Sequence, residues 1–294
     1  MNQIQHMKKE DRDNLYKLFR NYEDILGPDP TAVVALESFI QAVEELKCSE
    51  SEITSLLMEL SEVIKDTRPR IIPLIHLTEQ FEAEISPHFG KSLEEIKTQA
   101  VRILREKIAV FESYRAKLIE NGMKYVEDKD VIVVHSISYA VERILIQAHQ
   151  TLGKKFRVLL LKQDFTKTGR LIKSLSNAGI ELFIIPEFNL SQYLENISKL
   201  FIGAMSVTSD RKVVAAVGTA GIVSLCHLNK VPVYLFVNSL KFSHQPYAKQ
   251  GIHRKNEDRQ DKDLSYSLTT CSHDVVDLDL VTHVITEQSN GQSP

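Results

Sequence analysis

Five short apolar runs punctuate the second half of the chain: VIVVH (131–135), RVLLL (157–161), ELFIIP (181–186), LFIGA (200–204) and VPVYLFV (231–237). Each is rich in β-branched residues and apolar at nearly every position, which suits strands buried on both faces. Between them lie segments of helical period: SYAVERILIQAHQTLG (138–153), TGRLIKSLSNAG (168–179) and TAGIVSLCHLN (219–229). Strand alternating with helix implies βαβ units, a mostly parallel sheet and right-handed crossovers. Gly153 and Gly179 close two of the helices just before the next strand, where a C-terminal stop is expected. The expected architecture of this half is α/β and Rossmann-like in outline.

The first half reads differently. In ALESFIQAVEEL, Ala35, Phe39, Ile40, Val43 and Leu46 form one helical stripe. SESEITSLLMELSEVIK (49–65) offers Ser49 or Ser51 as N-cap, with Glu52 following. Residues 90–122 make a long amphipathic helix that Asn121 and Gly122 are placed to stop. No strand-like alternation interrupts these segments. The expected division is an all-helical domain over 1–126 and a Rossmann-like domain over 127–294.

Composition narrows the function classes. A net charge of −3 gives no electrostatic case for nucleic-acid or anionic-membrane binding. No run reaches the roughly 18 apolar residues of a membrane span, and the N-terminus lacks the apolar core of a secretory signal. Cys48, Cys226 and Cys271 lie far apart without metal-ligand spacing, so the expectation is a reduced, cytoplasmic protein with no metal. After the first strand the chain reads HSISYAVE, without the glycines of a dinucleotide fingerprint, and no phosphate-loop motif G-x-x-x-x-G-K-[ST] occurs. No cofactor is expected. The mixed-charge stretch RKNEDRQDKD (254–263) reads as a solvated loop.

Three places in order carry a family resemblance. VVHSISYAV (133–141) matches a T-H-x-x-S motif after a first strand. FIGAMSV (201–207) and VVAAVGTAGIVSLCHLNKVPVYLFVNSLKF (213–242) resemble a G-A…GT…A…N-x-P-x-x-V…(Y/F)-K-F pattern. His273 to Glu287 aligns with a C-terminal D-x-T-P-P-E-L-(I/V)-D-x-(I/V)-I-T-E segment, and DTRPRIIPL (66–74) resembles an R-P helix junction. Together these resemble the alpha, beta and delta subunits of eukaryotic translation initiation factor 2B. That superfamily also holds ribose-1,5-bisphosphate isomerase and methylthioribose-1-phosphate isomerase.

The isomerases need a proton donor, a carboxylate and groups that bind phosphate. Where they carry a cysteine after T-H, this chain has Ser136, and a hydroxyl is a far weaker acid than a thiol. Where they place a carboxylate after G-A, it has Met205. Where an amide and an ammonium precede the G-T, it has Ala215 and Ala216. An E-T-R-P segment is replaced by Lys162, Gln163, Asp164 and Phe165. The resemblance therefore implies a cleft lined by methyl groups, a thioether and a hydroxyl, unable to isomerise a sugar phosphate.

The implied role is a non-catalytic regulatory or scaffolding subunit linked to guanine-nucleotide exchange on initiation factor 2. It works through protein partners, as a homodimer or with family-related subunits. Val231–Phe242 and Val275–Glu287 are the expected dimerisation elements. Arg68, His135, Ser136, Gly218 and Thr219 are candidates for a retained pocket for a phosphorylated sugar or nucleotide, with Arg70 as a further charge. The plainer reading of Gly218 and Thr219 is a tight turn and a helix cap, and of His135 a hydrogen-bonded core residue. Cys226 reads as core packing. The opposing alternative is an isomerase with substitute residues, drawn from His135, Ser136, Asp164 and Asp210. A free-standing metabolite sensor is a third.

Overall fold

The computed structural model describes residues 26–66, 70–162, 165–252, 254–261 and 264–288. The chain separates into two compact units, Met1–Tyr114 and Arg115–Pro294.

In the first unit, the described residues between connections are helical: α1 (Pro28–Glu45), α2 (Glu50–Lys65), α3 (Ile72–Ile85) and the start of α4 (Leu93–Met123). Proline opens α1 and stands at the start of α3, where a missing N–H costs nothing. Of the two serines offered for α2, Ser49 is the cap. Its backbone N–H donates to Glu52 at 2.9 Å, completing a reciprocal capping box. The apolar stripes meet in a core where the Phe39 and Phe81 rings pack edge to face at 5.1 Å.

The second unit is built on a six-stranded sheet whose pairings are all parallel. Its strands are β1 (Val131–Val134), β2 (Arg157–Lys162), β3 (Glu181–Pro186), β4 (Lys199–Gly203), β7 (Val233–Phe236) and β11 (His283–Ile285), in the order β11-β7-β4-β1-β2-β3. The five apolar runs are thus five of its six strands. In β1, β2, β4 and β7 the continuous apolarity goes with burial on both faces; the edge strand β3 departs from it, with Phe183 and Ile184 exposed. Ile132, Val134, Val158 and Leu160 pack with Ile144 and Leu145 of α5 (Tyr139–Gln150) and Leu171 and Leu175 of α6 (Phe165–Asn177). Val133, Leu159, Leu200 and Ile202 pack on the opposite side with Ile222, Val223 and Cys226 of α7 (Thr219–Leu228).

Two local expectations are revised. α4 runs one residue past Gly122, so that glycine does not stop the helix. A Cβ there would lie 2.7 Å from Ile144 Cγ1 and 3.2 Å from the Phe236 ring, so close packing excludes a side chain. The stretch expected as a charged loop is strand β8 (Arg254–Asp261), paired antiparallel with β9 (Leu264–Cys271). The overlooked signal is the alternation of Leu264, Tyr266 and Leu268 with serines. Of the expected dimerisation elements, Val231–Phe242 is largely taken up by the unit's own core, whereas most of Val275–Glu287 stays half-buried or exposed. Val233, Leu235, Phe236 and Val237 are 0% exposed, and Val276 and Ile285 are nearly so.

Between β4 and β7 the chain leaves the parallel sheet to form a smaller antiparallel one. It comprises β5 (Ser206–Val207), β6 (Lys212–Ala215) and β10 (Asp274–Asp277), in the order β10-β6-β5. β10 arrives from far along the chain and lies beside β6 with Asp274 opposite Ala215. This pairing carries Asp274 to the loop in front of α7.

Candidate functional site: a crevice at the switch point of the sheet

In a doubly wound sheet, ligands bind where the strand order reverses, beyond the carboxyl ends of the strands. Here that point lies between β1 and β4. His135 and Ser136 follow β1, Gly203 ends β4, and Ser138 caps α5 by accepting from the Val141 amide at 3.4 Å. The loop Ala216–Thr219 enters α7 from the side of the smaller sheet.

His135 is the centre of the cluster, its side chain fully buried. One ring nitrogen, Nδ1, lies 3.2 Å from the Thr219 hydroxyl, and the other, Nε2, lies 3.1 Å from Glu187 Oε2. Thr219 also donates to the Ala216 carbonyl at 2.6 Å. His135, Gly218 and Thr219, three of the five pocket candidates, therefore converge. Histidine here is a hydrogen-bonded core residue with a carboxylate at its Nε2.

Gly218 is confined on two counts. Its φ of +95° lies in the left-handed region, and a Cβ would meet Glu187 Oε1 at 2.5 Å and His135 Nε2 at 2.8 Å. The amides beyond it are already engaged. Asp274 Oδ2 accepts from Gly218 N–H at 2.8 Å and from Ala220 N–H at 3.1 Å. The partial positive charge at the start of α7, the obvious seat for a phosphate, is thus satisfied by a carboxylate of the same chain.

This corrects the expectation of a cleft without acids. Ala215 and Met205 are nearly buried, Ala215 within the core against α7, and the Met205 amide donates to the Val214 carbonyl. Yet Glu187 and Asp274 bring two carboxylates to Gly218. Neither was legible as a site residue: Glu187 lies 52 residues from its partner His135, and Asp274 lies 56 residues from Gly218. The one available signal was Asp274 at the head of the D-x-T-P-P-E-like segment.

The remaining candidates fall elsewhere. Arg68 and Asp164 lie outside the described residues. Arg70 belongs to the first unit. Ser136 is half-buried after β1. Asp210 sits in the β5–β6 turn, where it accepts from the Thr208 hydroxyl at 2.6 Å and the Tyr247 amide at 3.0 Å. The Thr208 hydroxyl, foremost, holds its carboxyl below the usual range. Cys226 is buried in α7, and burial pushes its thiol up to about 11, as core packing implies. Among the described residues no cluster of three or more His, Cys, Asp or Glu is arranged to hold a metal ion.

Sheet order, paired helical layers and a crevice at the switch point define a Rossmann-type α/β protein joined to a helical unit. Residues 25–291 match the model of the Initiation factor 2 subunit family, and the chain belongs to that family. It is 29% identical over 230 residues to a translation initiation factor eIF-2B subunit 2-like protein of Pyrococcus horikoshii, covering 78% of each chain. It is 24% identical over 221 residues to ribose 1,5-bisphosphate isomerase of Archaeoglobus fulgidus, covering 75% of this chain and 68% of the other. Its fold matches a chain of the tetrameric eIF2B-beta2-delta2 complex from C. thermophilum with a TM-score of 0.75 at 18% identity, covering 96% of this chain and 92% of that one. The relatives thus include both translation factors and isomerases.

Proposed function

We propose that this chain is a non-catalytic regulatory or scaffolding subunit, linked to translation initiation and to guanine-nucleotide exchange on initiation factor 2. The observation that carries the reading is the contact of Asp274 with the amides of Gly218 and Ala220. An aldose–ketose isomerase must anchor a phosphate before it moves a proton, and here an internal carboxylate takes two of the amides at the start of α7, where an anion would sit. Met205 supplies no acid or base where the related isomerases carry one. Family-related subunits are the proposed partners, in keeping with the heteromeric assembly of the C. thermophilum relative. The reading carries a cytoplasmic location with it. Among the described residues, no helix is long and apolar enough to cross a membrane.

One observation favours the rival isomerase reading. His135 and Glu187 form a paired imidazole and carboxylate beside Ser136, a composition that general acid–base catalysis can use. The deciding experiment incubates the purified chain with ribose-1,5-bisphosphate and with methylthioribose-1-phosphate and follows ketose formation. In parallel, the chain is captured from its native cell and co-purifying subunits are identified. The expected result is no turnover, together with co-purification of initiation factor 2 or family subunits. Turnover that Ser136→Ala or Glu187→Gln abolishes would establish the isomerase instead.

A further inference from the structure

Strands β8 and β9 form a sheet of two strands only, and every residue of β9 is exposed. A hairpin of this kind is marginal in water by itself; a third strand or a packed face is what normally holds it. Its two edges differ in chemistry. Six of the eight residues of β8 are charged, the usual protection of an open edge, whereas β9, LSYSLTTC, carries no charge and no proline. Leu264, Tyr266 and Leu268 share one face of the ladder, in register with Asp261, Arg259 and Glu257, and are 62%, 43% and 37% exposed. Ser265, Ser267 and Thr269 share the other face. About half of the backbone N–H and C=O groups of β9 point away from β8, and among the described residues no strand pairs with them.

We infer that this free edge of β9 is a self-association edge, occupied by β9 of a second copy of the chain. The two run antiparallel about a twofold axis and make the four-stranded sheet β8-β9-β9-β8. Charge selects the occupant. A β8 edge would set charges against leucine, tyrosine and hydroxyls, whereas β9 against β9 leaves no charge at the seam. It also places the charged β8 strands at both outer edges, where they oppose further strand addition. The alternation of side chains sets the register, because directly opposed residues must share a face. With Ser267 on the axis, Tyr266 faces Leu268 of the second copy and Leu264 faces Thr270, each contact made twice. On the other face Ser267 meets itself and Ser265 meets Thr269, pairs that hydroxyls can bridge. With Leu268 on the axis, Leu264 would overhang; with Tyr266 on it, only residues 264–268 of each strand would overlap. The contact is small, so association is reversible and in the micromolar range. The inference goes beyond the subunit reading and does not rest on it: self-pairing through β9 can hold whether or not translation factors co-purify.

The test reads mass and register separately. Sedimentation velocity is run on the full-length wild type and on Tyr266→Glu from about 1 to about 200 μM. The wild type passes from monomer to dimer and goes no further. In Tyr266→Glu the new carboxylate stands in register with Arg259 of its own hairpin but against Leu268 of the second copy, and the dissociation constant rises at least about tenfold. Thermal unfolding confirms that the variant folds. The second measurement does not depend on that variant. In a background with Cys48 and Cys271 replaced by serine, Ser267→Cys faces itself across the axis with α-carbons about 5 Å apart, and oxidised glutathione links it into a disulfide dimer. Ser265→Cys, whose copies stand about 14 Å apart along the strands, does not cross-link. A wild type that stays monomeric throughout, a folded Tyr266→Glu that dimerises as tightly as the wild type, or cross-linking at Ser267→Cys no greater than at Ser265→Cys each overturns the inference.

Discussion

The Asp274 carboxylate bridges the amides of Gly218 and Ala220, at 2.8 and 3.1 Å, and so caps α7 from a strand more than 50 residues further along the chain. This contact ties β10 of the smaller sheet to the helix that packs on the main one. It gives the helix end its counter-charge and closes the amides to outside anions.

Asp274→Ala removes a charged acceptor from two amide donors. The expected cost is about 1–3 kcal/mol, seen as a lower denaturant midpoint. Asp274→Asn, which keeps one carbonyl acceptor, costs less. Equal stability of Asp274→Ala and wild type would show that the contact does not cap the helix.

Gly218→Ala combines an unfavourable backbone region with a collision against Glu187 and His135. The backbone term alone is about 1–2 kcal/mol, and displacement of the side chains adds to it. A thermal unfolding scan shows a clear drop. The His135 imidazole signals move as well, because the ring must shift.

Asp130 and Lys199 form a pair at 2.9 Å in which both side chains are more than nine-tenths buried, and Lys199 also donates to the Tyr125 carbonyl at 3.0 Å. Lys199→Met leaves a buried carboxylate without its cation, at an expected cost of about 3–5 kcal/mol. Combining it with Asp130→Asn costs less than the two single changes summed, which a double-mutant cycle in denaturant measures.

The Cys226 thiol titrates near 11 in the folded chain, against 9.0 when unperturbed, because burial disfavours the thiolate. The unfolded chain therefore loses this proton first as pH rises. The associated stability is complete below about pH 9 and is lost as pH climbs through about 11. Cys226→Ala flattens the fall in unfolding midpoint across that window. Under native conditions an aromatic disulfide reagent modifies exposed Cys271 quickly and leaves Cys226 unmodified until the chain unfolds.

Much of the fold was legible because it is written in local period. Runs such as Val131–Val134 and Val233–Phe236 announce strands buried on both faces, and the stripe through Phe39 and Val43 announces a helix. The hairpin of β8 and β9 is hard to read in the sequence because the charges of 254–261 mask the alternation in Leu264, Tyr266 and Leu268. At the crevice, His135, Gly218 and Thr219 were legible through motif order, whereas Glu187 and Asp274 were not. Neither carboxylate has a neighbour in sequence that shares its role.

The sequence by itself determined that a helical region precedes an alternating α/β one and that Cys226 belongs to a core. Tertiary structure alone decided what the crevice contains. Pairing of β10 with β6 delivers Asp274 to α7, and the segment after β3 delivers Glu187 to His135. Local propensity acts over a few residues, while the electrostatics of a site depend on which distant charges the folded chain brings within hydrogen-bond distance.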